Sequence, residues 1–179
     1  MSTVEPIRSL KDIRKIKTNL SANPRDLLLF TLGINSGLRI SDLLALNVSD
    51  VKGKEFIQLI EKKTKKFKKF PINKKLKLML ENYVLDMSDE EPLFSTKFNN
   101  RLSRVTAYYV IKRCCEKLHP EMAFGTHTMR KTFGYHHYKK YRDIAILQKI
   151  FNHSSPSVTL RYIGIDEDSI YKSYMNFSL

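Results

Sequence analysis

The sequence is poor in cysteine, and the two it has, Cys114 and Cys115, are adjacent. Neighbours on a helix do not reach disulfide geometry, and no CxxC or Cys/His ligand spacing occurs in the chain. A disulfide framework and a structural zinc site are thereby excluded, and buried thiols of a cytosolic protein are expected. Long apolar runs are missing as well. None approaches the ~18 residues of a membrane span, and the N-terminus has no apolar signal core. The expectation is a soluble, cytoplasmic protein with no membrane partner. There is no Walker phosphate loop and no carboxylate cluster, so neither a nucleotide nor a metal is expected as cofactor. Acidic residues are the scarce charge, 18 against 32 lysines and arginines, which leaves a net charge of +14. That surplus implies a polyanionic partner, and its clustering at 62–69 and 139–142 points to nucleic acid.

With 42% hydrophobic residues over 179 positions, the chain can fill one well-packed core. Leu10, Ile13, Ile16 and Leu20 recur at helical spacing. Asn23 followed by Pro24 reads as the N-cap and first turn of a helix through Leu27, Leu28 and Leu32, stopped near Gly37. Ser41 reads as the cap of another that carries Leu43, Leu44 and Leu46. Between Glu55 and Ile72 the period changes. Phe56-Ile57-Gln58-Leu59-Ile60, a polar tip near Thr64, then Phe67, Phe70 and Ile72 predict a β-hairpin. Helical spacing returns with Leu76, Met79, Leu80, Tyr83 and Val84, and after a Ser103 cap with Val105, Tyr108, Ile111, Cys115 and Leu118. Further helices are expected from Thr126, from Asp143, from Pro156 behind a Ser155 cap, and from about Glu167. The polar stretch 86–100 reads as a loop. The fold class is mostly α with a small antiparallel β-sheet (α+β).

His127 and Arg130 are three apart, so on a helix they share a face and can address one phosphate. Arginine suits that task because its planar fork makes two charge-assisted bonds to adjacent phosphate oxygens. Arg39 falls at a break between helices, from which a long side chain can reach into a cleft. Two arginines on one phosphate would offset the charge of a pentavalent transition state. Each residue also has a plain reading. A single arginine in so basic a chain is a solvated charge, a lone histidine is more often structural than catalytic, and Tyr162 is one of nine tyrosines. Met129, Phe133 and Tyr141 recur on the helix from Thr126 and read as core. The signal lies in the ordered set.

Gly37-Leu38-Arg39-Ile40-Ser41-Asp42-Leu43-Leu44, His127-x-x-Arg130-Lys131-Thr132-Phe133 and His153-Ser154-Ser155-Pro156-Ser157-Val158-Thr159-x-x-Tyr162 resemble the signature segments of tyrosine recombinases, the phage integrase family. The similarity runs from about Pro24 to Tyr162 in the family's order. It implies a catalytic set of Arg39, a hairpin lysine, His127, Arg130, His153 and Tyr162. Lys63 before Thr64 best matches the family's lysine-threonine at the hairpin tip, with Lys62 or Lys65 as the fallback. Lys62, Lys65, Lys66, Lys68, Lys69 and Lys131 are expected to bind DNA. Two positions depart from the pattern: the usual Leu-Gly before the last histidine is Phe151-Asn152, and the frequent histidine after the second arginine is Lys131.

The resemblance implies that Tyr162 attacks a phosphate of double-stranded DNA and leaves a 3′-phosphotyrosyl bond and a free 5′-hydroxyl. His127 would help take the proton, Lys63 would donate one to the leaving oxygen, and Arg39, Arg130 and His153 would hold the phosphate. Assembly as a multimer on DNA is implied, with a monomer in isolation. The rivals are a type IB topoisomerase-like enzyme and a non-catalytic DNA-binding regulator, which would have no use for Tyr162. An N-terminal core-binding domain is also implied, but the residues before Asn23 leave no room for one. A single catalytic domain over 1–179 is therefore expected, with an N-terminal helix or linker at 1–22 and a tail helix at 165–179. A catalytic half of a larger protein and a naturally short member stay equally open. In the tail, Ile170, Tyr171, Tyr174 and Met175 form an apolar stripe behind Asp166-Glu167-Asp168. Packing on its own domain is expected, and docking on a neighbouring subunit is the alternative that the resemblance implies.

Overall fold

The computed structural model describes residues 4–165, 171 and 174–178. Ser9 caps α1 (Leu10–Leu20), which buries Ile13 and Ile16 and leaves Leu10 exposed. Asn23 accepts a hydrogen bond from the Asp26 amide and Pro24 opens α2 (Pro24–Ser36), as the sequence predicts. Leu28, Leu29, Phe30 and Leu32 on α2 are all fully buried, which makes it the central helix. It ends at Gly37, whose φ of +61° is left-handed backbone that glycine adopts freely.

The next helix differs from the expectation. It is α3 (Ile40–Leu43), only four residues long, and Arg39 rather than Ser41 holds the N-cap position. Ser41 lies inside the helix and caps nothing. The apolar residues Leu43, Leu44 and Leu46 are buried as expected, but the chain bends away after Leu43 into a single 3-10 turn at Val48–Asp50.

β1 (Phe56–Ile60) and β2 (Phe67–Pro71) pair antiparallel, with Ile57 opposite Phe70 and Ile60 opposite Phe67. Ile57 is fully buried and Phe56 and Ile60 are exposed, so one face of the hairpin sits on the core. α4 (Lys74–Tyr83) follows behind an Asn73 cap. The stretch 86–100 is irregular, as expected, yet Leu93 and Phe94 within it are fully buried and Leu93 N donates to Leu46 O. α5 (Arg104–Glu116) is capped by Ser103 and buries Cys114 and Cys115, both free thiols.

α6 (Thr126–Tyr141), α7 (Ile144–Phe151) and α8 (Pro156–Ile163) complete the described fold. α6 lies between two cores. Met129 joins the main core around α2, and Tyr135 joins a smaller one with Leu147, Phe151, Ile163 and Ile165. Gly134 lets that second contact close, because a Cβ there would fall 2.6 Å from Ile163 and 2.8 Å from the Phe151 ring. Tyr141, expected in the core, is exposed at the helix end. The expected helix from Glu167 begins outside the described residues. In the tail, Tyr171, Tyr174 and Met175 are 66%, 80% and 66% exposed. The expected packing of this stripe on its own domain is therefore not found at these three residues. Among the described residues no helix is long and apolar enough to cross a membrane.

Candidate active site

Four segments converge on one cleft of about 480 Å³, whose lining includes Arg39, Lys62, Lys63, Arg104, His127 and Arg130. Arg39 enters from the α2–α3 bend, the lysines from the hairpin, and His127 and Arg130 from the first turns of α6. Tyr162, near the end of α8, places its Oη 3.3 Å from His127 Nδ1. The Tyr162 and His153 rings meet edge to face at 5.1 Å. His153 sits in the α7–α8 turn, where its Nδ1 pairs with the Thr159 hydroxyl at 3.1 Å. The six expected catalytic residues thus lie around Tyr162 or along the cleft, with Lys63 among its lining residues.

Arg130 is almost wholly buried, and the chain builds a socket for it. Its Nη1 donates to Gly37 O, its Nη2 donates to Phe151 O at 2.9 Å, and its guanidinium lies 4.3 Å from the Phe151 ring centre. The departure Phe151-Asn152 fits this geometry. Phe151 supplies the platform, and Asn152 ends α7 with φ of +53°, a conformation asparagine tolerates better than most residues. Lys131, the other departure, is buried with its Nζ 5.4 Å from the centre of the Tyr162 ring.

The charges have consequences for protonation. Partial burial, then Arg130, Lys131, Arg104 and Arg39, hold the His127 pKa below the ordinary histidine value. His127 is therefore neutral at pH 7 and able to accept a proton. His153 is pushed down to about 4, chiefly by burial and then by Arg130 and Arg39. Burial raises the Tyr162 pKa, and the Arg130 and Arg39 charges offset this only in part. Tyr162 is thus a phenol in the free protein and needs a base to become a nucleophile.

The hairpin lysines separate. Lys62, Lys63, Lys65, Lys66 and Lys69 are exposed. Lys68, expected among the DNA contacts, instead turns inward: its Nζ donates to Ile150 O at 3.0 Å and its side chain is only 11% exposed. Burial and then Arg130 lower its pKa to about 8. Lys131, expected as a second DNA contact, is likewise buried beside Tyr162. Both lie at positions where strand alternation or a helix face turns them toward the protein. Sequence reasoning also missed Arg104, which opens α5 at the cleft edge, and Glu61, a fully buried carboxylate 2.9 Å from Arg39. Only the helix-cap position of Ser103 hinted at the first. The second stands in the sequence only as the residue that follows the hairpin's first strand. No group of three or more His, Cys, Asp or Glu side chains suited to a metal occurs among the described residues.

A model of the phage integrase family matches residues 8–168. The chain belongs to the phage integrase family. A probable integrase/recombinase, YoeC of Bacillus subtilis (strain 168), is 48% identical over 179 residues, which cover 99% of this chain and 98% of that one. Tyrosine recombinase XerA of Pyrococcus horikoshii is 31% identical over 159 residues, 86% of this chain and 55% of its own length. Beside YoeC, this integrase-family chain thus spans about half the length of the tyrosine recombinases it matches. A solved XerA recombinase superposes with a TM-score of 0.78 at 21% identity, covering 97% of this chain and 64% of that one. A lambda integrase dimer bound to a COC' core site gives 0.70 at 17% identity, with 91% and 49% covered. The fold is that of a tyrosine recombinase catalytic domain.

Proposed function

We propose that this integrase-family domain cleaves and rejoins double-stranded DNA through a 3′-phosphotyrosyl intermediate. The observation that carries the reading is the Tyr162 hydroxyl 3.3 Å from a neutral His127 beside a cleft lined by Arg39 and Arg130. His127 Nδ1 takes the phenol proton as Tyr162 Oη forms a bond to phosphorus. The bond from phosphorus to the 5′-oxygen breaks, and Lys63 delivers a proton to that oxygen. Arg39 and Arg130 face the equatorial oxygens, where charge builds in the transition state. Arg130 is already fixed by two carbonyls and an aromatic ring, so little reorganisation accompanies the reaction. His153, neutral and ring-packed against Tyr162, serves as a further donor to the phosphate. Because the phosphotyrosine conserves the energy of the cleaved linkage, a 5′-hydroxyl can reverse the step, which is rejoining or exchange. The exposed lysines Lys62, Lys65, Lys66 and Lys69 supply salt-sensitive contacts to the DNA backbone.

The test is a nicked duplex whose cleaved end diffuses away, which traps the covalent complex. Wild type should accumulate a denaturation-resistant protein–DNA adduct, and Tyr162→Phe should give none. An adduct that persists in Tyr162→Phe would falsify the assignment. A regulator that binds DNA without chemistry would give no adduct with either protein.

Assembly on DNA belongs to the same reading. The tail residues Tyr171, Tyr174, Met175 and Phe177 are 66–80% exposed in the single chain. An apolar stripe of that kind gains most by docking on another protein surface, and a second copy on the same DNA is the partner at hand.

A further inference from the structure

The transfer just described makes no use of Glu61, yet its carboxylate is 0% exposed and is the point where three segments meet. Arg39 Nη1 lies 2.9 Å from Oε1. The Thr64 hydroxyl donates to Oε2 at 2.6 Å, and Asn152 Nδ2 donates to the same oxygen at 2.9 Å. Lys68 Nζ stands 4.0 Å from Oε1. Thr64 follows Lys63 in the chain, and Asn152 precedes His153. One carboxylate therefore touches Arg39 directly and reaches the immediate neighbours of two other proposed site residues.

We propose that Glu61 is a positioning residue for strand transfer: its buried carboxylate sets Arg39 in the cleft and ties the hairpin tip that carries Lys63 to the turn that carries His153. The inference rests on the reading of the cleft given above. A buried carboxylate without partners would be protonated or expelled. Here burial raises the Glu61 pKa, but the Thr64 and Asn152 donors and the Arg39 and Lys68 charges outweigh it and hold it below the ordinary value. The group is thus an anion set among Arg39, Arg130 and Lys68, which would otherwise repel one another. The pair is drawn together by charge inside the protein, where Arg39 Nη1 and Glu61 Oε1 are both withdrawn from water.

Glu61→Gln keeps the shape and removes the charge, and the nicked-duplex assay separates its effects. At saturating DNA, adduct formation in E61Q should slow by about 10- to 100-fold, the scale of a catalytic group displaced by an ångström. Affinity for an intact duplex should stay within about twofold, since uniform binding is untouched. E61D, which keeps the charge on a shorter arm, should recover part of the rate. Asn152→Gly tolerates the same left-handed backbone and deletes only one donor, and Thr64→Val deletes the other. Each should slow the same step without weakening binding, and these two variants decide the matter should E61Q fail to fold. A folded E61Q that reacts at the wild-type rate, or that loses affinity alone, overturns the proposal. If wild type itself forms no adduct through Tyr162, the reading of the cleft fails instead.

Discussion

At the scale of single residues, His153 shows how burial fixes a protonation state. Its pKa of about 4 lies well below the ordinary 6.5, because the ring is partly buried and then faces Arg130 and Arg39. Above pH 6.5 neither the folded nor the unfolded chain binds the proton, and the group is silent. Between 6.5 and 4 the unfolded chain takes up a proton that the folded one refuses, so stability falls as the pH drops. The expected result is a melting temperature that declines from pH 7 to pH 4, with a shallower decline in His153→Gln. Parallel declines in the two proteins would remove His153 as the cause.

At the scale of elements, α6 carries the heaviest constraint. It presents His127 and Arg130 at its start and packs on both cores, and Gly134 is the residue that allows its close approach to α7 and α8. Gly134→Ala would push a methyl group into Phe151 and Ile163. Overpacking of this kind costs about 1–3 kcal/mol. The strain falls on the helix that carries Tyr162 and on the ring that supports Arg130, so catalysis should suffer beyond the loss of stability. The check is adduct formation well below the variant's own melting temperature. A rate equal to wild type there would mean that α8 absorbs the methyl group without moving Tyr162. The hairpin was well predicted because the helical period breaks off into short apolar stretches on either side of a polar tip, and α2 because Asn23, Pro24 and Gly37 mark both of its ends. The start of α3 was not, because Ser41 offers a capping side chain that the bend at Arg39 never uses.

At the scale of the whole molecule, the surplus of 14 positive charges gives long-range attraction to DNA but assigns no contact. Lys68 and Lys131 show this: both belong to the surplus, yet Lys131 is buried beside the site and the Lys68 side chain is only 11% exposed. The tail sets the other molecular question. Deletion of 169–179 should leave binding of one copy to a short duplex unchanged. On a duplex long enough for two, it should lower cooperativity by about a hundredfold, the lower end of what linked contacts provide. Gel-shift titration on the two lengths measures both quantities. Cooperativity that is unchanged by the deletion would mean that the stripe Tyr171, Tyr174 and Met175 makes no contact between subunits.

The sequence by itself determined the helical periods, the hairpin, most caps and the order of Arg39, His127, Arg130, His153 and Tyr162, because these are properties of spacing and of side-chain chemistry. Their meeting in one place is a matter of packing. The socket around Arg130 draws one carbonyl from the end of α2 and another from the end of α7, and no local pattern joins positions so far apart. The same holds for Glu61. It follows directly on β1, and only the closure of the hairpin onto Arg39 and Asn152 withdrew it from water. Desolvation, which decides whether a charge is a solvated ornament or a working part, depends on every element that covers it. That is why tertiary structure alone decided which of the lysines, and which carboxylate, face the site.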